Sequence, residues 1–199
     1  DMERMRRTLD EEEMKIAFAF LLSVPGAPFI YYGDEIGMRY LEDLPSVEGG
    51  YHRTGSRTPM QWDTTANAGF SSAEPQDLYI QIDPDEARPT VESERTNPGG
   101  IYQEVKKLIA LRKEHEALQS LAHLEFVYAE KETYPFVYKR MGKEEDILVI
   151  LNPSGEEAVC RIPVQEAGEV IYENNGAAFL KDGELRVPGA SVTFFSYKK

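Results

Sequence analysis

Cysteine is almost absent from this chain: among 199 residues there is one, Cys160. A single thiol cannot close an internal disulfide, so a disulfide-stapled secreted framework is excluded. Cys160 stands in the alternating run Ala158-Val159-Cys160-Arg161-Ile162 and reads as a small packed side chain, not a reactive thiol. Histidine is scarce too. His52, His115 and His123 are the three present, and no two have metal-ligand spacing, so no structural zinc site is expected. Basic residues are outnumbered, 22 Lys and Arg against 35 Asp and Glu, for a net charge of -13. That balance disfavours nucleic acid and anionic membrane surfaces as partners, but not a neutral ligand such as a sugar. No long apolar run is present. The stretch 16–32 is broken by Pro25, Gly26 and Pro28, and it falls short of the ~20 residues a membrane helix needs. The charged opening Asp1-Met2-Glu3-Arg4-Met5-Arg6-Arg7 has no signal-peptide character, and with the lone cysteine it points to a cytoplasmic protein. A Gly-rich phosphate loop and a Gly-x-Ser-x-Gly elbow are both missing, so no cofactor is expected.

What is present suffices for a buried core: 41% of residues are hydrophobic and 11% aromatic. Thr8-Leu9-Asp10-Glu11 has the form of a capping box, and residues 14–24 are apolar on nearly every side. This predicts a buried helix stopped by Pro25-Gly26. The run 29–32, between Pro28 and Gly33, predicts a strand buried on both faces. Helix, tight turn and strand together are one unit of a parallel α/β fold, and its neighbouring strands are not in this sequence. Residues 34–98 read as a long functional loop, with short helices an alternative near 83–94. An amphipathic helix is predicted over 101–118, with Lys106, Lys107, Arg112 and Lys113 outward.

After residue 119 the period changes to two. Strands are predicted at 124–128, 136–140, 147–152, 157–163, 168–172, 184–187 and 191–198, separated by turns such as Asn174-Asn175-Gly176 and Lys181-Asp182-Gly183. This spacing implies an antiparallel sandwich or barrel. The acidic clusters 11–13 and 144–146 read as solvated faces. His115 is expected on the exposed flank of its helix, His52 within reach of a ligand in the loop, and His123 at a strand start.

The residues suited to chemistry follow the expected strand. Asp34 and Glu35 directly succeed it, where α/β barrels place their sites. Sequence neighbours point in different directions. A retaining glycosidase needs carboxyl groups facing each other about 5–5.5 Å apart, so this pair suits lining a site better than acid and nucleophile roles. Arg57 offers a planar guanidinium for hydroxyls or a carboxylate, and Trp62 a flat apolar face for a sugar ring. A loop-anchoring salt bridge and a packed aromatic are the competing reading of those two.

The run Gly26-Ala27-Pro28-Phe29-Ile30-Tyr31-Tyr32-Gly33-Asp34-Glu35-Ile36-Gly37-Met38 resembles the segment around the last barrel strand of the α-amylase superfamily (glycoside hydrolase family 13). Arg57-Thr58-Pro59-Met60-Gln61-Trp62-Asp63 and Asn67-Ala68-Gly69-Phe70-Ser71 resemble motifs of its α-glucosidases, oligo-1,6-glucosidases and trehalose synthases. The resemblance implies an α/β plus all-β fold. Residues 1–118 would be the C-terminal segment of a (β/α)8 TIM barrel, and 119–199 a small antiparallel β-sandwich domain. It implies a retaining mechanism on α-linked glucose di- or oligosaccharides, through an aspartate nucleophile and a glutamate acid/base. In the family these precede the segment seen here, as does the aspartate of an Asn-His-Asp motif that this chain lacks. No catalytic residue therefore carries over. Arg57 and Glu35 resemble positions on the aglycone side of the pocket, with Asp34 beside them. The chain is expected to be a fragment whose partner is the missing N-terminal part of the barrel. A non-catalytic carbohydrate-binding or barrel-completing interaction chain is the alternative.

Overall fold

The computed structural model describes residues 3–199; Asp1 and Met2 of the charged opening lie outside the described residues. Backbone contacts divide the chain into two compact units. One holds the residues up to Met14 with Phe29–Lys106, the other Lys15–Pro28 with Lys107–Lys199. No helix among the described residues is long and apolar enough to cross a membrane.

Helix α1 (Glu11–Ser23) carries Glu11, Glu12 and Glu13 in its first turn, where the helix dipole favours acids. Its capping box is set two residues later than the sequence pattern suggested. The Asp10 backbone N–H donates to Glu13 Oε2 at 2.8 Å, and the Glu13 N–H donates to Asp10 Oδ1 at 2.9 Å. A carboxylate accepts these bonds more strongly than the Thr8 hydroxyl, and Thr8 instead closes the preceding turn through its backbone.

The first unit is built from short turns. Short 3-10 segments occur at Asp34–Ile36, Tyr51–Ser56, Ala66–Gly69 and Pro75–Asp77, and α2 spans Val91–Thr96. Helix α2 is capped by Thr90, whose side chain accepts from the Ser93 N–H at 3.1 Å. The region read as loop with possible short helices is therefore loop with short helices. The strand expected at 29–32 is not formed. Phe29 is 88% exposed and the segment makes no ladder. The physical reason is pairing: a central parallel strand needs hydrogen-bonded neighbours on both sides, and among the described residues no strand runs beside it.

In the second unit, eight strands form two antiparallel sheets. They are β1 (His123–Tyr128), β2 (Phe136–Met141), β3 (Glu145–Asn152), β4 (Ala158–Arg161), β5 (Glu169–Asn174), β6 (Phe179–Lys181), β7 (Glu184–Val187) and β8 (Ser191–Lys198). One sheet has the order β1-β2-β3-β8-β5, the other β4-β7-β6. Val137, Leu148, Ile150 and Phe195 from the first meet Cys160, Leu180, Leu185 and Val187 from the second in one core. Burial pushes the Cys160 thiol up to about 11, which agrees with a packed, unreactive side chain.

Sequence periodicity missed β6, a three-residue strand with a single buried residue, Leu180. Its hairpin with β7 is closed by Asp182 and Gly183, both at positive φ (50° and 75°), and Lys181 pairs with Glu184. Two left-handed residues match the twist of the flanking strands, so an Asp-Gly pair is the favoured two-residue loop.

The five-stranded sheet is covered on its other face as well. Phe20 of α1 meets the rings of Phe136 and Tyr138 at 6.2 and 6.3 Å. Lys107 of α3 (Ile101–Glu114) lies over the Tyr172 ring at 4.9 Å. Double coverage explains why residues 147–151 read as an unbroken apolar run.

Helix α1 ends inside this unit, and a helix end leaves carbonyls without partners. Two arginines supply the donors. Arg112 donates to the carbonyls of Leu22, Val24 and Gly26 at 2.7, 2.9 and 2.6 Å. Arg140, fully buried, donates to the Ser23 carbonyl and to those of Gln119 and Ala122 at 2.7 and 3.0 Å. Ser23 Oγ also bonds the Tyr138 hydroxyl at 2.5 Å.

His115 and Glu145 depart from the sequence reading. His115 is buried just past α3, with its Nδ1 at 2.7 Å from Glu145 Oε1. Glu145 is also buried, and its other oxygen accepts from Ser196 Oγ at 2.7 Å and Lys198 Nζ at 2.8 Å. The cluster 144–146 is thus no uniform solvated face. Strand alternation turns its middle residue inward, and the partners that make this tolerable come from distant elements.

Candidate functional site

The motif Gly33-Asp34-Glu35-Ile36-Gly37-Met38 folds as a tight 3-10 turn between two left-handed glycines, with φ of 87° at Gly33 and 69° at Gly37. It is closed by Met38 N–H to Gly33 carbonyl (2.9 Å) and Gly37 N–H to Asp34 carbonyl (3.0 Å). A side chain at Gly33 would collide with the Met38 sulfur. Glycine is therefore required there on two counts, backbone conformation and close approach.

Arg4 holds this turn from behind. Its guanidinium is fully buried and sits 5.1 and 4.9 Å from the centres of the Tyr31 and Tyr32 rings. Nη1 donates to the Tyr32 carbonyl at 2.7 Å and to Asp34 Oδ1 at 3.3 Å. Nε and Nη2 have no hydrogen-bond partner among the described residues. Burial raises the Asp34 carboxyl, and Arg4 only partly offsets that rise. Asp34 is thus an anchor of the turn. Arg4 was not singled out in the sequence; the one signal was its place in a basic run beside no obvious partner.

Glu35, the next residue, is half-buried, and its Oε2 is enclosed without a hydrogen-bond partner. A buried carboxylate oxygen left unpaired costs free energy.

The second motif is tied to the first through Tyr32, whose hydroxyl donates to the Thr58 carbonyl at 2.8 Å. Burial, then Tyr31, pushes the Tyr32 phenol up to about 12, so it stays a donor across the physiological range. Arg57, next to Thr58, is half-buried at the end of the 3-10 segment Tyr51–Ser56. Its charge reaches Tyr79, which donates to Glu48 at 2.9 Å; that bond raises the phenol and Arg57 opposes the rise.

Gln61 explains its own place in the motif. It is buried, and its Nε2 donates to the Pro89 carbonyl at 2.6 Å. Backbone bonds from Val91 to Gln61 (2.9 Å) and from Glu92 to Trp62 (3.0 Å) then fasten this strip to α2. Asp63 accepts from the Thr65 N–H at 2.8 Å and hydroxyl at 2.5 Å. Asn67, Ala68 and Gly69 follow in left-handed conformation. Of the three residues nominated from sequence, all lie in the first unit. Asp34 is engaged by Arg4, Glu35 keeps an unpaired oxygen among the described residues, and Arg57 is half-buried within electrostatic reach of Tyr79. His52 is exposed and holds Tyr40 only through its carbonyl, at 2.5 Å.

Known proteins resemble this chain. A family model described as the alpha amylase catalytic domain matches residues 1–120. Oligo-1,6-glucosidase of Parageobacillus thermoglucosidasius is 30% identical over 209 residues, covering 88% of this chain and 36% of its own. Trehalose synthase/amylase TreS of Mycobacterium tuberculosis is 32% identical over 147 residues, covering 72% of this chain and 24% of its own. The chain therefore spans about a third of the length of these curated relatives or less. Among solved structures, isomaltulose synthase from Erwinia rhapontici NX5, in complex with D-glucose, superposes with a TM-score of 0.79 at 24% identity. The match covers 95% of this chain and 38% of the other, and it shows a shared fold. With the catalytic-domain model matching more than half of its length and both sequence motifs folded as linked turns, the chain belongs to the α-amylase family.

Proposed function

We propose that this chain is the C-terminal part of a retaining glycoside hydrolase or transglucosidase acting on α-glucosides of the maltose, isomalto-oligosaccharide or trehalose class. The observation that carries the reading is Glu35: a carboxylate fixed by a two-glycine turn, with one buried oxygen unpaired, in a segment tied to the Arg57 motif by Tyr32. Glu35 and Arg57 line the acceptor side of the pocket and hold the leaving glucose in register; Asp34, bound to Arg4, shapes the turn. Holding a leaving group or acceptor in place acts on rate through orientation, without bond-making. Residues 1–118 belong to the barrel and 119–199 to the terminal β-domain. The exposed apolar segment at Phe29, Tyr31 and Tyr32 supports a barrel partner that covers it. The nucleophile and acid/base are assigned to that partner, since this sequence has no Asn-His-Asp motif and offers no facing carboxylate pair at the segment.

The test is turnover. The 199-residue chain alone is expected to release no glucose from maltose, isomaltose or an aryl α-glucoside. The chain joined to its upstream coding region is expected to do so. In that longer protein, Arg57→Ala and Glu35→Gln each lower kcat/KM by about tenfold to a hundredfold. Turnover by the clean short chain, or an upstream region without a carboxylate trio, overturns the proposal.

A further inference from the structure

Trp62 is the chain's single tryptophan, and it is left 49% exposed. It is not loose. Its backbone N–H donates to the Ala68 carbonyl at 2.8 Å, and its carbonyl accepts from the Glu92 N–H at 3.0 Å, so the residue is fastened from both sides. The ring borders a cleft of about 550 Å3 whose other walls are Asp63, Val91, Glu92, Arg95 and Thr96. That volume is within the usual range for a small-molecule site. Two carboxylates, one guanidinium and one hydroxyl therefore surround a flat apolar face.

This combination selects a ligand class. A sugar ring has an apolar face of C–H groups that stacks on an indole and an edge of hydroxyls that both donate and accept. Asp63 and Glu92 accept, while Arg95 offers a fork of donors. An anionic ligand would meet the two carboxylates and a net charge of -13. A cationic ligand would be drawn to the carboxylates but would leave the Arg95 donors without an acceptor. A neutral polyhydroxylated ligand serves the acceptors and the donors together. Because the Trp62 backbone is held by hydrogen bonds on both sides, binding would have to order only the side chain.

We propose that the Trp62 cleft is a carbohydrate-binding platform, formed by a different set of residues from Asp34, Glu35 and Arg57, that takes a short neutral α-linked glucose oligosaccharide. The ligand linkage rests on the α-glucoside reading above; the site rests on the cleft. Its role is to hold a second stretch of sugar without contributing to bond cleavage.

The experiment is a maltotriose titration of the chain followed by tryptophan fluorescence, which reports this one residue. Saturable change in the millimolar range is expected, with none from sorbitol at equal concentration. Arg95→Ala, at an exposed position of α2, is expected to weaken binding by about tenfold. Trp62→Ala is expected to abolish the saturation-transfer NMR signal on maltotriose while leaving the circular dichroism unchanged. A linear response, or saturation that survives both substitutions, overturns the proposal. Failure here is distinguishable from failure of the α-glucoside reading, because the latter is decided by glucose release from the longer protein.

Discussion

Arg140→Met is expected to lower the unfolding free energy of the β-rich unit by about 3 kcal/mol, seen as an earlier midpoint in urea. Arg140 is a fully buried cation, and its donors serve carbonyls of Ser23, Gln119 and Ala122. Burial, with Arg112 nearby, lowers its pKa to about 10, so it is charged at neutral pH. Methionine fills much of the same volume but donates nothing. Three carbonyls would then lose their donor; that of Ser23, at the end of α1, is buried away from water, while those of Gln119 and Ala122 are only partly buried. Each such loss costs about 1–3 kcal/mol, and partial relaxation keeps the total below the sum. Arg140→Lys is expected to recover only part of the loss, since an ammonium cannot fork to three carbonyls in one plane. An unchanged midpoint for Arg140→Met would mean that the carbonyls find other donors and that α1 does not depend on this residue.

The second large effect is a loss of stability in acid centred on Glu145. Burial alone would raise this carboxyl; the bonds from Lys198, Ser196 and His115 outweigh burial and hold it at about 2, against an ordinary 4.5. The folded pKa is depressed, so the stabilisation is fully present above the ordinary value. It is lost as pH falls from 4.5 towards about 2. A shift of that size corresponds to about 3 kcal/mol at most across the window, and solvent screening of the exposed Lys198 lowers it. His115 faces Glu145 from the end of α3, and Ser196 and Lys198 face it from β8. Stability measured against pH should therefore fall steeply below pH 4.5 in the native chain and less steeply in Glu145→Gln. The amide should also be less stable at neutral pH, because it loses the charge that Lys198 pairs with. A Glu145→Gln profile parallel to the native one would assign the acid sensitivity to other carboxylates.

Most of the β-domain was legible in the sequence. Strands β1 to β5, β7 and β8 fall where alternation and turn residues placed them, within a few residues at each end. The exception, β6, is too short to show a period, although the Asp182-Gly183 turn beside it was visible. The segment 29–32 illustrates the opposite case. Its composition is that of a buried strand, yet a strand exists only with neighbours, and the described residues supply none beside it. Of the candidate site, the sequence marked Asp34 and Glu35 as the residues after the expected strand and Arg57 in a second motif. The left-handed turn of Gly33 and Gly37 around the pair, and the hydrogen bond from Tyr32 to Thr58 that ties in the Arg57 motif, came from the structure. That Asp34 is engaged by Arg4, and that Glu35 retains an unpaired oxygen, was not readable.

By itself the sequence determined what depends on near neighbours: helix α1 and its acidic first turn, the switch to period two after residue 119, and the glycines that permit left-handed turns. It also determined family membership, through motifs whose residues are needed for those local turns. Only the tertiary structure decided which polar groups meet across long separations: Arg4 with Asp34, His115 with Glu145, and Arg140 with the end of α1. It also decided that β3 is covered on both faces. The reason is physical. Local propensity and periodicity act over a turn or a strand, whereas burying a charge is tolerable only when a distant partner arrives to hydrogen-bond it, and no local pattern encodes that arrival.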